Sequence, residues 1–103
     1  SLSHRIAGPV FKLGMVVGRY ASRDLSARMY LRKHDYFHSI VPAINAFRLT
    51  VAKDLTEIRA EERKLREAAK SASGPARDQM MAVAEKISAI VNSYQLPEET
   101  GDA

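Results

Sequence analysis

The sequence predicts an all-α protein, and three observations carry that prediction. Apolar residues recur at alternating spacings of three and four along most of the chain, the repeat of helices packed along a seam. Glycine and proline are few, five and four in 103 residues. The run Ser71-Ala72-Ser73-Gly74-Pro75 divides two of these repeats as the loop of a helical hairpin would.

The first helix carries Ile6, Val10, Leu13, Val17 and Tyr20, spaced 4, 3, 4, 3 as in a coiled-coil seam. Pro9 suits its first turn, where a missing N–H has no partner anyway. Gly14 and Gly18 each weaken the helix by roughly 1 kcal/mol relative to alanine, so it is expected to lean on a dimer partner. Residues 24–34 lack helical periodicity and read as a connector, with Leu25 and Met29 facing inward and Leu31 a third candidate.

Asp35 is the expected N-cap of the second helix. Phe37, Ile40, Ile44, Phe47 and Val51 continue a 3, 4, 3, 4 seam, followed by Leu55, Ile58 and, past Glu61-Glu62, Leu65. Two consecutive spacings of four, Phe47 to Val51 to Leu55, make a stutter, and the boundary between two packed bundles is placed there. Pro42 in a helix interior would cost about 3 kcal/mol, so the second helix is either kinked at Pro42 or begins later than Asp35. Pairs such as Lys53/Glu57, Glu62/Arg66 and Arg63/Glu67 add about 0.2–0.5 kcal/mol each and mark a solvated face.

Gly74 suits a left-handed helix end and Pro75 the first turn of the next helix. The last helix puts Met80, Val83, Ala84, Ile87, Ile90 and Tyr94 on one face, with Met81 as a flank. The short loop implies an antiparallel hairpin over residues 52–96, and residues 97–103 are expected to form a disordered tail.

Composition narrows the function. The length allows one small domain or two small bundles in series, a size at which helical chains gain from dimerising. Without cysteine there are no disulfides, thiolate nucleophiles or cysteine metal sites. Residues 1–53 carry nine Lys/Arg against two Asp, whereas residues 54–103 carry seven against ten Asp/Glu. That basic half fits a segment just cytoplasmic of a membrane helix. The most apolar stretch, Ile6 to Gly18, is interrupted by Lys12 and falls short of the ~20 residues that span a bilayer. The chain reads as the soluble piece of a longer protein.

His34, Asp35 and His38 offer two imidazoles four apart with a carboxylate between. On one helix they could ligate a metal, but the glutamate and third ligand of a metalloprotease are missing, so no metal or cofactor is expected. His34-Asp35 also begins the pattern of a phosphoacceptor histidine, which keeps a phosphotransfer or sensor-kinase dimerisation bundle using His34 or His38 as the alternative. No ATP-binding or glycine-rich loop follows. Lys and Arg are dispersed rather than set on a recognition helix, so no nucleic-acid partner is expected.

The first half carries a more specific pattern. Pro9 lies near the start of the first helix, and Asp24-Leu25-Ser26-Ala27-Arg28-Met29 spaces two hydrophobes by three residues. Leu31-Arg32-Lys33-His34-Asp35 leads into the second helix, which contains Ala43-Ile44-Asn45-Ala46-Phe47. Over residues 3–51 this resembles a HAMP domain, the membrane-proximal relay of bacterial transmembrane receptors. Two positions depart from the family pattern: Arg23 stands where the connector has glycine, and Asp35-Tyr36 where it has Asp-Glu, whose glutamate clasps the first helix.

The resemblance implies a homodimer in which two helix pairs form a parallel four-helix coiled-coil bundle, followed by the helical hairpin. It implies a relay rather than an enzyme, on the cytoplasmic face of the bacterial inner membrane, between a preceding transmembrane helix and a downstream protein partner. Pro9, Leu13, Val17, Leu25, Met29, Phe37, Ile40, Ile44 and Phe47 are the residues on which relay would depend, through packing alone.

Overall fold

The computed structural model of the protein describes residues 2–98. It is all-helical: α1 (Leu2–Ala21), α2 (Val41–Ala69) and α3 (Gly74–Asn92), with a single 3-10 turn at His38–Ile40 and no named strand among the described residues. Contacts divide the chain into two compact units. The first runs to Ala52 and is joined by the segment from Gln95 onward; the second is Lys53–Tyr94.

In the first unit α1 begins at Leu2, so Pro9 lies inside the helix and not in its first turn as the sequence suggested. A proline there removes the N–H that would bond the carbonyl four residues back, which is that of Arg5. At its other end α1 closes with a Schellman motif. Asp24 N–H donates to the Arg19 carbonyl (2.8 Å) and Arg23 N–H to that of Tyr20 (3.0 Å). The motif needs a left-handed residue, and Arg23 supplies it at φ 68°.

The connector then runs back along α1. Tyr20, near the C-terminal end of α1, donates its hydroxyl to the Ala27 carbonyl (2.8 Å), while Tyr36 N–H reaches Arg5 near the start (3.4 Å). α2 meets the same connector in reverse order, Asn45 beside Met29 and Arg48 beside Leu25 and Ser26. Within this unit α1 and α2 therefore run parallel, with the connector antiparallel to both.

Asp35 does not cap α2. Its carboxylate accepts from Arg32 N–H (2.9 Å) and closes a turn in the connector. Phe37, at φ 67°, redirects the chain into the 3-10 turn, and α2 starts at Val41. Pro42 thus falls in a first turn, where it costs no hydrogen bond, and the alternative of a later start resolves the conflict it posed.

In the second unit α2 and α3 lie side by side in opposite directions, Arg66 reaching Glu85 (3.1 Å). The last turn of α2 tightens through i→i−3 bonds at Lys70, Ser71 and Ala72. Gly74 has the expected positive φ, 65°, but as the first residue of α3, with Pro75 beside it. The inward stripe of α3 is Met80, Ala84, Ile87 and Val91, continued by Tyr94 just past the helix end, again spaced 4, 3, 4, 3. Val83 and Ile90, expected on that face, are exposed flanks instead, and Val91 is buried in their place. Nor is the charged face of α2 wholly solvated: Glu62 is 6% exposed. Of the tail expected at 97–103, residues 99–103 lie outside the described residues, and Pro97 is half-buried.

Because left-handed backbone costs a non-glycine residue roughly 1 kcal/mol, Arg23→Gly is expected to stabilise the chain by up to that amount. Thermal melting checks it; a lower Tm would mean that contacts of the Arg23 side chain outweigh the strain.

Candidate functional site

The connector is an irregular segment pressed between helices, so its backbone polar groups must find partners outside any helix or sheet. Leu25, Met29 and Leu31 anchor it, all buried, Met29 to 1% exposure. Their burial carries neighbouring amides and carbonyls out of water, and α2 answers with two polar side chains. Asn45 holds Met29 at both backbone groups: Met29 N–H donates to Oδ1 (2.8 Å) and Nδ2 donates to the Met29 carbonyl (3.0 Å). Arg48, 2% exposed, donates from Nε to the Leu25 carbonyl (2.7 Å) and from a terminal nitrogen to that of Ser26 (2.9 Å). Asn45 and Arg48 are three apart and so share one face of the helix.

The connector's start is fixed from two more directions. Asp24 accepts from Ser26 at both hydroxyl (2.5 Å) and N–H (3.0 Å), and pairs with Arg19 of α1 (2.8 Å). The Ser26 hydroxyl, then the Ser26 amide, and then Arg19 hold the Asp24 carboxyl below its ordinary value of 3.8 against the opposing effect of burial. Gln95 runs alongside: Leu25 N–H donates to the Gln95 carbonyl (2.7 Å) and Gln95 N–H to that of Arg23 (2.8 Å), making an isolated parallel bridge between residues 24 and 95.

The connector's far end is held at α1. The Arg5 carbonyl that Pro9 leaves free accepts Tyr36 N–H, and the Arg5 guanidinium lies 5.2 Å from the centre of the Tyr36 ring while donating to the His34 carbonyl (3.3 Å). Such a cation–π contact at an exposed site adds about 0.5–1 kcal/mol. The Arg32 amide pulls the Asp35 carboxyl below its ordinary 3.8 against burial, with Arg32 and Lys12 charges adding to the effect.

Not all of the predicted residues lie in this lock. Pro9, Leu25 and Met29 are buried and Leu13 and Ile44 half-buried. Val17, Phe37, Ile40 and Phe47 are exposed, Val17 to 52% and Phe47 to 60%. Val17, Ile40, Ile44 and Phe47 come together all the same, lining an apolar groove with Tyr20, Ala21 and Ala43. Val10, also exposed, and Gly14, which has open space where a Cβ would stand, extend the α1 side of that stripe.

Arg48, Asn45, Arg19, Asp24 and Gln95 were not among the predicted residues. A polar side chain on an amphipathic helix gives no sign that distant backbone will enclose it. Arg48 had one clue: it follows the seam residue Phe47 within the stutter, where the inward face shifts by one position. His34 lies in the connector and His38 in the 3-10 turn, so the pair does not share a helix face as a metal site would require. Among the described residues no group of three or more His, Asp or Glu could hold a metal ion. No described helix is long and apolar enough to cross a membrane. Compared with known proteins, the chain matches no family model, no curated protein and no solved structure.

Arg48→Met keeps the volume but leaves two carbonyls without this donor, and is expected to cost about 3 kcal/mol in chemical denaturation. Pro9→Ala returns the missing N–H to α1, so it should raise helicity while speeding exchange of the Tyr36 amide, read by hydrogen exchange. The two depressed carboxyls, Asp24 and Asp35, bind fewer protons folded than unfolded just below 3.8. Their contribution to stability should be complete above that pH and fade below it, and Asp24→Asn should shrink the acid-side slope of the unfolding free energy.

Proposed function

We propose that this chain is a HAMP-like signal relay: a parallel homodimer that passes a change in helix packing from a preceding membrane helix to a downstream protein partner. The observation that carries the reading is the uncovered stripe of the first unit. α1 and α2 run parallel, the connector covers one side of them, and Val10, Val17, Ile40 and Phe47 stay exposed at seam spacing on the other. Such stripes on parallel helices are self-complementary about a two-fold axis along the helices, and knobs-into-holes packing of two copies would bury both at once. The buried Leu25 and Met29 match the two hydrophobes of the family connector, and Arg23 takes the positive φ that the family gives to glycine. Where the family clasps α1 with a glutamate, Tyr36 and Arg5 form a different clasp at the same end.

In this reading the chain performs no catalysis and takes no cofactor. Its basic first half sits at the cytoplasmic face of a bacterial inner membrane, and the signal is a shift between two packings of the four-helix core differing by a few kcal/mol. The second unit offers a continuation of the dimer, since Ile58, Val83 and Ile90 are exposed on α2 and α3.

Single cysteines at Val17 and at Phe47 test the assembly. Each is expected to form same-residue crosslinks between copies quickly, whereas one at exposed Arg28 is not. A chain that sediments as a monomer and crosslinks at neither position defeats the dimer. The relay itself is tested by splicing residues 3–51 between the membrane helix and output domain of a bacterial receptor of known ligand. Ligand-dependent output that is lost on Asn45→Ala supports it, and output indifferent to ligand overturns it.

A further inference from the structure

The second unit holds a cleft of about 310 Å³ on one flank of its helix pair. α2 contributes Arg59, Glu62, Arg63 and Arg66 to its lining, and α3 contributes Ser88 and Asn92. Arg66 is already committed, to Glu62 one turn back and to Glu85 across the pair (3.1 Å), and both carboxylates raise its pKa. Glu62 is therefore matched to a charge of its own, and the cations left over in the lining are Arg59 and Arg63. Arg59 is the unusual one: its Nε is buried and has no hydrogen-bond partner. A buried cationic donor without an acceptor is uncommon and calls for a partner of opposite character.

The α3 side supplies donors as well. Asn92 Nδ2 donates to Ser88 Oγ (3.0 Å), so the Ser88 hydroxyl has its own proton to give, and the Asn92 amide keeps a second. Two arginines one helical turn apart, a serine and an asparagine line one small volume. A tetrahedral oxyanion offers several acceptors at the spacing of an arginine fork and enough charge to match two arginines. We propose that this cleft binds a small phosphate group, held by the guanidinium groups of Arg59 and Arg63 with Ser88 and Asn92 beside them. Ile58, Leu65 and Ile87 line a separate recess on the opposite flank of the buried stripe of α2, so a ligand here does not compete with packing of that apolar face. The inference stands apart from the relay reading.

The test uses the full chain labelled at arginine nitrogen, with chloride exchanged for inorganic phosphate at constant ionic strength. The Arg59 Nε–H resonance is expected to shift saturably, more than those of other arginines. Arg59→Lys keeps the charge but loses the fork, and Ser88→Ala is a mild change on the other helix; each should weaken binding by about tenfold or more. Lys70→Gln, at an exposed pair with Glu67, should change nothing. A shift that grows linearly without saturating, or that Arg59→Lys and Ser88→Ala leave intact, overturns the site. Malonate binding as tightly as phosphate overturns the assignment to a phosphate group.

Discussion

The first unit depends on one constraint: its connector buries apolar side chains without forming a helix or a strand. Burying Leu25 and Met29 is favourable by about 1.5–3 kcal/mol each, yet it drags amides and carbonyls out of water with them. That burial stands only because other parts of the chain present donors and acceptors where the connector passes. Arg48 and Asn45 do so from α2, Tyr20 from α1, and Gln95 from the segment after α3. Pro9 contributes in the opposite sense, by withholding a donor so that a carbonyl of α1 stays available to Tyr36.

The pattern of spacings made the helices legible, because a helix that buries one face must repeat its apolar residues. It also marked Leu25 and Met29 as inward, since a pair of hydrophobes in a polar, aperiodic stretch has few other reasons to be there. Asp35 misled because a cap and a turn want the same residue type: the carboxylate that could have capped α2 closed a connector turn instead. The face of α3 was misjudged by one position because Ile90 and Val91 are adjacent and equally apolar, and only packing against α2 selects Val91. Arg48 and Asn45 were beyond reach for a different reason. Their partners are backbone groups some 16 to 23 residues away, and backbone carries no letter in a sequence.

The two units handle arginine in contrasting ways. Arg48 is enclosed and spends its donors on carbonyls, where its charge strengthens each bond and its planar fork spans two successive peptide groups. Lysine could match the charge but not that span. In the second unit Arg66 sits between two carboxylates, and Arg59 turns a buried Nε toward no acceptor at all. The same residue type thus serves as a staple in one unit and as an open valence in the other.

The bridge at Gln95 gives the first unit an unusual route for force. Its two bonds join the stretch after α3 directly to the residues where α1 hands over to the connector. A displacement of the segment after α3 therefore bears on Arg23 and Leu25 directly. The end of α1, the start of the connector and the segment after α3 are thus joined through the same few peptide groups.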